Sequence, residues 1–268
     1  FNESILILGL VPEDCTDIII EQNLTIVVGS LDRAKKKSEI AVKRGAVIDC
    51  FIAIDSGMGR IGYRIETPLE KEFARTEIEE IDELEGLRIN GMVSHFATSD
   101  EADSTYTNKQ LSLFNDFYEE LAGCGINVPM LCIANSAAIM DYPKTHFDAV
   151  RPGIILYGCY PSEEVDKTRL DLKPVMSVKA YIIHIKTVPA GTSISYGRRF
   201  IADRESKIAT ISIGYADGYS RTLTGKAEVL VHGHRVPVVG SICMDQCMID
   251  VTDVSGVAAG DEVVIMGR

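Results

Sequence analysis

Hydrophobic and polar residues form two kinds of block along the first two thirds of the chain. Short apolar runs, typical of strands buried on both faces of a parallel sheet, occur at residues 4–9, 24–28, 48–55, 89–95, 128–134 and 147–151. Polar or amphipathic segments at 32–45, 67–86 and 105–123 predict helices between them. The repeated strand–helix order predicts a parallel sheet with right-handed crossovers.

This pattern predicts about six βα units, whereas a closed barrel of this type has eight. The chain starts at Phe1, almost directly before an apolar run, so we expect the first two units to be absent from it. Residues 1–172 are therefore predicted to form a TIM-like (β/α)8 barrel lacking its first units. An open doubly wound sheet is the alternative, because the number of units does not establish closure.

The pattern changes after about residue 173. Long strand-like runs are separated by Pro-Ala-Gly, Asp-Gly and His-Gly-His turns, without helical periodicity. Residues 173–268 are therefore predicted to form an all-β C-terminal domain, with a hairpin over residues 230–239.

Composition limits the possible partners. The net charge of -12 argues against binding to nucleic acid or to an anionic membrane surface. No apolar run approaches the ~18 residues of a membrane helix, and no signal peptide opens the chain. Seven cysteines without a Cys-x-x-Cys pair indicate reduced thiols and a cytoplasmic location.

Chemistry in a barrel lies at the carboxyl ends of its strands. Arg60 follows one predicted strand in a glycine-rich loop and could bind a carboxylate, although a surface salt bridge is an alternative. His95 ends another strand, where a structural histidine is the commoner case. Arg151 lies in an apolar strand end, so we expect a fixed acceptor, either a protein carboxylate or a ligand atom.

A phosphate site is predicted where the last two strands of this domain end. Asn135 and Ser136 open a short helix that offers a hydroxyl and free N–H groups, and Gly153 and Ile154 add backbone amides. A capped helix beside a tight turn is the alternative.

Tyr215 lies between Gly214 and Gly218 after an apolar strand. A phenol presented there could move a proton if a nearby cation lowered its pKa from about 10. The alternative is a tyrosine that caps an Asp-Gly turn.

A metal site is not expected. Cys243 and Cys247 would lie roughly 13 Å apart on an extended strand, too far to share one zinc ion. His232 and His234 share one strand face, and the two cysteines share another.

Six motifs, in sequence order, resemble those of the alanine racemase family. They are Gly57-Met58-Gly59-Arg60-Ile61-Gly62, His95-Phe96-Ala97-Thr98, Ala134-Asn135-Ser136-Ala137-Ala138, Arg151-Pro152-Gly153-Ile154, Gly214-Tyr215-Ala216-Asp217-Gly218 and Cys243-Met244-Asp245. The resemblance implies a barrel that binds pyridoxal 5'-phosphate, followed by a β domain. It also implies a homodimer whose active sites are shared between subunits.

The resemblance assigns catalytic roles to three residues. Tyr215 would be one of two bases acting on the α-proton, reaching the barrel of the partner subunit, and His95 would bond to it. Arg151 would face the pyridine nitrogen of the cofactor. Because arginine does not release a proton, that nitrogen would stay unprotonated, which discourages side reactions.

The resemblance also assigns binding roles. Asn135, Ser136, Gly153 and Ile154 would hold the cofactor with Arg151. The substrate carboxylate would be bound by three residues: Arg60, Met244 and Asp245, the last two from the partner subunit.

The chain departs from the family pattern in several places. The family's Schiff-base lysine has no counterpart among these residues, and a second tyrosine near the substrate entry is also missing. As given, this sequence is therefore expected to be inactive by itself. Ala53 replaces a lysine that many members carbamylate, and Cys132 replaces a histidine that supports the arginine matching Arg151.

These departures leave three alternatives to an alanine racemase. One is a serine racemase of the vancomycin-resistance type, whose soluble catalytic part is joined to a membrane domain. Another is a catalytically silent protein that binds pyridoxal phosphate. The third is a decarboxylase with the same two-domain plan, which the Tyr215 and Arg151 motifs fit poorly.

Overall fold

The computed structural model describes residues 4–267, which form two compact units that meet in sequence at Leu172 and Lys173. The first unit contains a parallel sheet. Its strands are β1 (Ile5–Leu6), β2 (Leu24–Val28), β3 (Ile48–Asp55), β4 (Tyr63–Arg64), β5 (Leu87–Val93) and β6 (Leu131–Cys132). The strand order is β1-β2-β3-β5-β6, and the short β4 pairs with β3 alone.

Helices follow most of these strands. They are α1 (Thr16–Glu21), α2 (Leu31–Lys43), α3 (Pro68–Asp82), α4 (Thr105–Gly123) and α5 (Ser136–Asp141). Sequence explains several boundaries: Thr67 and Glu70 form a reciprocal capping box at the start of α3, and Pro68 occupies the first helical position. Asn135 caps α5 by accepting the backbone N–H of Ala138.

The sheet buries both faces, as its continuous apolar runs predict. Alternate residues of β3 point to opposite sides: Cys50, Ile52 and Ile54 join the cluster that contains the buried residues of α2, α3 and α4, whereas Phe51 and Ala53 join a smaller cluster. The buried residues of that smaller cluster all lie on strands, and none lies on these helices. Helices on one face are typical of a barrel wall, whereas a doubly wound sheet is covered on both faces.

The predictions for β2, β3 and α4 are confirmed residue for residue. The prediction of a strand over residues 147–151 is wrong. Phe147 has a φ of 42°, in the left-handed region that interrupts an extended chain. The Asp148 side chain, rather than a backbone carbonyl, accepts the N–H of Leu131, and only isolated bonds such as Arg151 N–H to Ala134 O join this segment to the chain around β6.

The second unit is a closed antiparallel barrel. Its strands are β7 (Val178–Val188), β10 (Ser206–Ile211), β11 (Glu228–Val231), β12 (His234–Val239), β13 (Cys247–Asp250) and β14 (Glu262–Met266), while β8 (Ser193–Ile194) and β9 (Phe200–Ile201) form a separate two-stranded sheet. The predicted hairpin is confirmed as the β11–β12 pair. Within residues 4–267, none of the helices combines the length and apolar character needed to cross a membrane.

Candidate active site

The loop after β3 presents Arg60. Asp55, the last residue of β3, accepts the backbone N–H groups of Gly57 at 3.0 Å and of Gly59 at 2.9 Å through the same carboxylate oxygen. Gly57 and Gly59 have positive φ values of 132° and 70°, which a side chain would disfavour. The guanidinium of Arg60 is exposed and forms no hydrogen bond or ion pair with any residue between 4 and 267. The Asp55 carboxylate therefore fixes the backbone of this loop, and the Arg60 guanidinium is left for another anion.

Arg151 is half-buried and is held mainly by backbone carbonyls. Its Nη1 donates to the carbonyl of Cys132 at 3.0 Å and contacts that residue's Sγ at 2.8 Å. Its Nη2 donates to the carbonyls of Ser94 and Ile133. The acceptors within the described residues are thus backbone carbonyls, and no carboxylate among those residues pairs with this arginine. Its Nε–H has no partner within residues 4–267.

His95 lies beside this guanidinium, two residues beyond β5. Its Nδ1 is 3.2 Å from Nη2 of Arg151. Since arginine can only donate, Nδ1 accepts, and this hydrogen bond assigns the proton of the neutral ring to Nε2. Burial, followed by the charges of Arg151 and Arg60, lowers the pKa of His95 to about 4. The imidazole is therefore neutral at physiological pH.

Arg60, His95 and Arg151 line one cavity of about 100 Å³. Ala53 also lines it and adds no charge to it. The ten lining residues include two guanidinium groups and no carboxylate. Such a cavity favours an anionic occupant, because two cations in a partly desolvated site lack an internal counter-charge.

The titration of His95 tests this electrostatic description. We expect the ring C–H NMR signals of His95 to titrate near pH 4 in the wild-type protein and at a higher pH in Arg151→Gln, since removing the cation favours the imidazolium. The unfolded chain takes up this proton near pH 6.5, whereas the folded chain takes it up only near pH 4. The free energy of unfolding therefore decreases as the pH falls through this window. Arg88→Gln, which changes an exposed arginine at the start of β5, is the control. A wild-type midpoint near 6.5 would contradict the assignment.

The predicted phosphate residues lie together. Ser136, the first residue of α5, is buried, and its hydroxyl oxygen accepts the N–H of Gly153 at 2.9 Å. Asn135 accepts the Ser99 hydroxyl at 2.8 Å with the same oxygen that caps the helix. The N–H of Gly153 is therefore engaged by Ser136, whereas the hydroxyl hydrogen of Ser136 and the N–H of Ile154 have no acceptor among residues 4–267. Both are donors that suit an anion.

Tyr215 and Met244 lie together on the second unit. The backbone N–H of Tyr215 donates to Cys243 at 3.0 Å, and that of Ala216 donates to Met244 at 2.8 Å. A Cβ on Gly214 would lie 2.4 Å from the carbonyl oxygens of Cys243 and Met244, so this close approach requires glycine. Tyr215 is 39% exposed and Met244 59% exposed, and Asp245 beside them is also exposed.

Sequence reasoning missed three side chains at these sites. The guanidinium of Arg221 lies over the Tyr215 ring, 5.4 Å from its centroid, in a cation–π contact that helps to hold the ring. Gln110 and Tyr106 of α4 bond to the loops that carry His95 and Arg60. The sequence does indicate Gln110, because it is a polar residue in the apolar stripe of an amphipathic helix.

Comparisons with known proteins identify the family of this chain. Residues 1–161 match the family described as "Alanine racemase, N-terminal domain", and residues 175–268 match "Alanine racemase, C-terminal domain". The chain is 50% identical over 265 residues to the alanine racemase of Clostridium novyi, covering 98% of this chain and 67% of that protein. It is 51% identical over 264 residues to alanine racemase 1 of Clostridium acetobutylicum, with the same coverages. The chain belongs to the alanine racemase family.

Solved structures extend this result to the fold. The alanine racemase of Clostridium difficile 630 superposes with a TM-score of 0.90 at 40% identity, covering 100% of this chain and 69% of that one. The alanine racemase of Bartonella henselae, solved with covalently bound pyridoxal phosphate, gives a TM-score of 0.85 at 30% identity and covers 100% of this chain and 70% of that one. The predicted fold, a barrel domain followed by a β domain, is confirmed.

Proposed function

We propose that this chain supplies the substrate and cofactor site of a pyridoxal-phosphate-dependent alanine racemase, an isomerase that interconverts L- and D-alanine. The observation that carries the proposal is the carboxylate-free cavity shared by Arg60, His95 and Arg151. An amino-acid carboxylate and a phosphorylated cofactor are both anions, so both suit such a site. The relatives at about 50% identity are named alanine racemases, which favours alanine over serine.

The residues present fit pyridoxal phosphate. Ser136 O–H and Ile154 N–H are free donors, and we assign them with Asn135 and Gly153 to the phosphate end. The free Nε–H of Arg151 suits the ring nitrogen, which accepts one hydrogen bond. Bound pyridoxal phosphate withdraws electrons from the α-carbon of an amino acid and so makes its α-hydrogen acidic.

Arg60 is assigned to the substrate carboxylate. Its guanidinium has no internal partner, and a bidentate pair with a carboxylate would fix the orientation of the α-carbon. We further assign the backbone of Met244 and the side chain of Asp245, from a partner subunit, to the same end of the substrate. Because Ala53 is uncharged, it provides no negative charge beside Arg60. We assign that charge to the substrate carboxylate.

Tyr215 is assigned as a base that moves the α-proton on one side of the substrate. His95 in its neutral form can donate from Nε2, and we infer that it bonds to the phenol oxygen of Tyr215 from a partner subunit in a homodimer. Burial and the two nearby guanidinium groups lower the pKa of His95 and keep the ring neutral, so it orients the phenol without competing for the proton.

A racemisation assay tests the proposal. The intact gene product, loaded with pyridoxal phosphate, is given L-alanine or L-serine, and the D-enantiomer is measured by chiral chromatography. We expect D-alanine to form faster than D-serine. Faster conversion of serine would favour the serine racemase alternative, and bound cofactor without conversion of either amino acid would indicate a silent binding protein.

A further inference from the structure

Helix α4 joins the two loops that carry Arg60 and His95. Three residues in its first turns face these loops: Tyr106, Thr107 and Gln110, here called the α4 bracket. Each has a side-chain hydrogen bond to a residue on one of the loops. Outside the bracket, the buried side chains of α4 are the apolar residues of the helix-side core.

Gln110 forms two hydrogen bonds with the backbone of the loop that carries His95. Its Oε1 accepts the N–H of Ala97 at 2.9 Å, and its Nε2 donates to the carbonyl of His95 at 3.0 Å. These two partners also fix which end of the amide is oxygen, because a backbone N–H only donates and a carbonyl only accepts. The side chain is 0% exposed, so water cannot replace either bond.

A second set of contacts extends the same bracket to the other loop. Nε2 of Gln110 also lies 3.5 Å from the hydroxyl of Ser56, which is 2.9 Å from the hydroxyl of Ser94. Both serines are buried, so a continuous polar path links the ends of β3 and β5.

Tyr106 makes the corresponding contact with the Arg60 loop. Its hydroxyl donates to the carbonyl of Gly57 at 2.9 Å. A Cβ at Gly57 would lie 2.5 Å from that hydroxyl oxygen, so glycine permits the close approach of loop and helix. Arg60, three residues further on, has no hydrogen bond or ion pair with the described part of the chain that would fix its position.

We propose that the α4 bracket sets the relative position of the two loops, so that Gln110 is a positioning residue for His95 and Tyr106 is a positioning residue for Arg60. This inference rests on the proposed racemase function. Neither residue lines the cavity, so each acts through the backbone of its loop. The two halves of the bracket therefore affect different steps: Tyr106 substrate binding, and Gln110 the proton transfer that His95 supports.

The test compares variants of the intact gene product loaded with pyridoxal phosphate. Gln110→Met keeps the length of the side chain but removes donor and acceptor, and we expect kcat to fall roughly 10- to 100-fold with little change in KM, because a small displacement of a catalytic group is costly. Gln110→Glu keeps the acceptor and loses the donor, and we expect a smaller fall in kcat. Tyr106→Phe should raise KM for alanine about tenfold and leave kcat unchanged.

Leu111→Ala is the matched control. Leu111 is the buried neighbour of Gln110 in the apolar core, and its truncation weakens the packing of α4 without removing a loop contact. We expect it to lower thermal stability and to leave kcat and KM unchanged. Equal losses of kcat in Gln110→Met and Leu111→Ala, or unchanged kinetics in all of the bracket variants, would overturn the proposal.

A second readout needs no turnover. The NMR signals of the His95 ring should shift in Gln110→Met and stay in place in Leu111→Ala. Lack of racemase activity in the wild-type protein would reject the proposed function. An unshifted His95 ring in Gln110→Met would instead reject the bracket.

Discussion

Tyr215→Phe is expected to slow removal of the α-proton from one enantiomer of alanine by about 100- to 10,000-fold, the usual contribution of a positioned acid or base. The opposite enantiomer should be affected far less, because a two-base racemase uses a different group on each side of the α-carbon. The substitution removes one oxygen and leaves the Gly214 contacts and the ring beneath Arg221 in place.

The measurement is exchange of the α-hydrogen of L- and D-alanine with deuterium from solvent, followed by NMR in the intact, cofactor-loaded protein. Tyr219→Phe is the control, because this second phenol lies four residues away and packs against the core of the β barrel. Burial raises the pKa of Tyr219 to about 12, so its phenol stays protonated at neutral pH. Equal and small losses for both enantiomers in Tyr215→Phe would remove the catalytic role.

Arg151→Glu is expected to lower the rate of racemisation by at least about 100-fold, as does loss of one electrostatic contact at a reacting group. It should also change the absorbance spectrum of bound pyridoxal phosphate. The guanidinium holds its proton, whereas a carboxyl group can share one with the ring nitrogen. Glutamate would also face the carbonyls of Cys132 and Ser94, which now accept from the arginine.

Arg88→Glu controls for the change in charge, since Arg88 is exposed at the other end of the strand that leads to His95. It should retain the wild-type spectrum and rate. An Arg151→Glu protein with an unchanged spectrum would place Arg151 away from the ring nitrogen.

The parallel sheet could be predicted because its strands are apolar on both faces, and β3 illustrates why. Phe51 and Ala53 face one cluster while Ile52 and Ile54 face the other, so the run from Cys50 to Ile54 is apolar at every position. The segment 147–151 has a similar composition but forms no strand, because the left-handed Phe147 and the Asp148 side chain replace ladder bonds. Such backbone conformations depend on tertiary contacts rather than on residue type.

The site could be predicted only in part. Arg60 and His95 follow β3 and β5 of one parallel sheet, so their neighbourhood follows from topology once the strands are recognised. Arg151 does not follow a strand, and it reaches them through its bonds to the carbonyls of Ser94 and Cys132. Gln110 lies on a helix and acts through the loop backbone, and the sequence marks it only as a polar residue in an apolar stripe. The contact between Tyr215 and Arg221 depends on a tight turn whose geometry a sequence pattern does not specify.

The most direct test of the account is activity in a hybrid dimer. Tyr215→Phe and Arg151→Glu chains, each in the intact gene product with a different affinity tag, are coexpressed, and dimers that carry both tags are purified. If Tyr215 serves the Arg151 site of the partner subunit, one of the two sites in each hybrid is intact, and we expect roughly half of the wild-type rate per dimer. If each chain uses its own tyrosine, neither site is intact. A hybrid as inactive as the two parent variants would contradict the account.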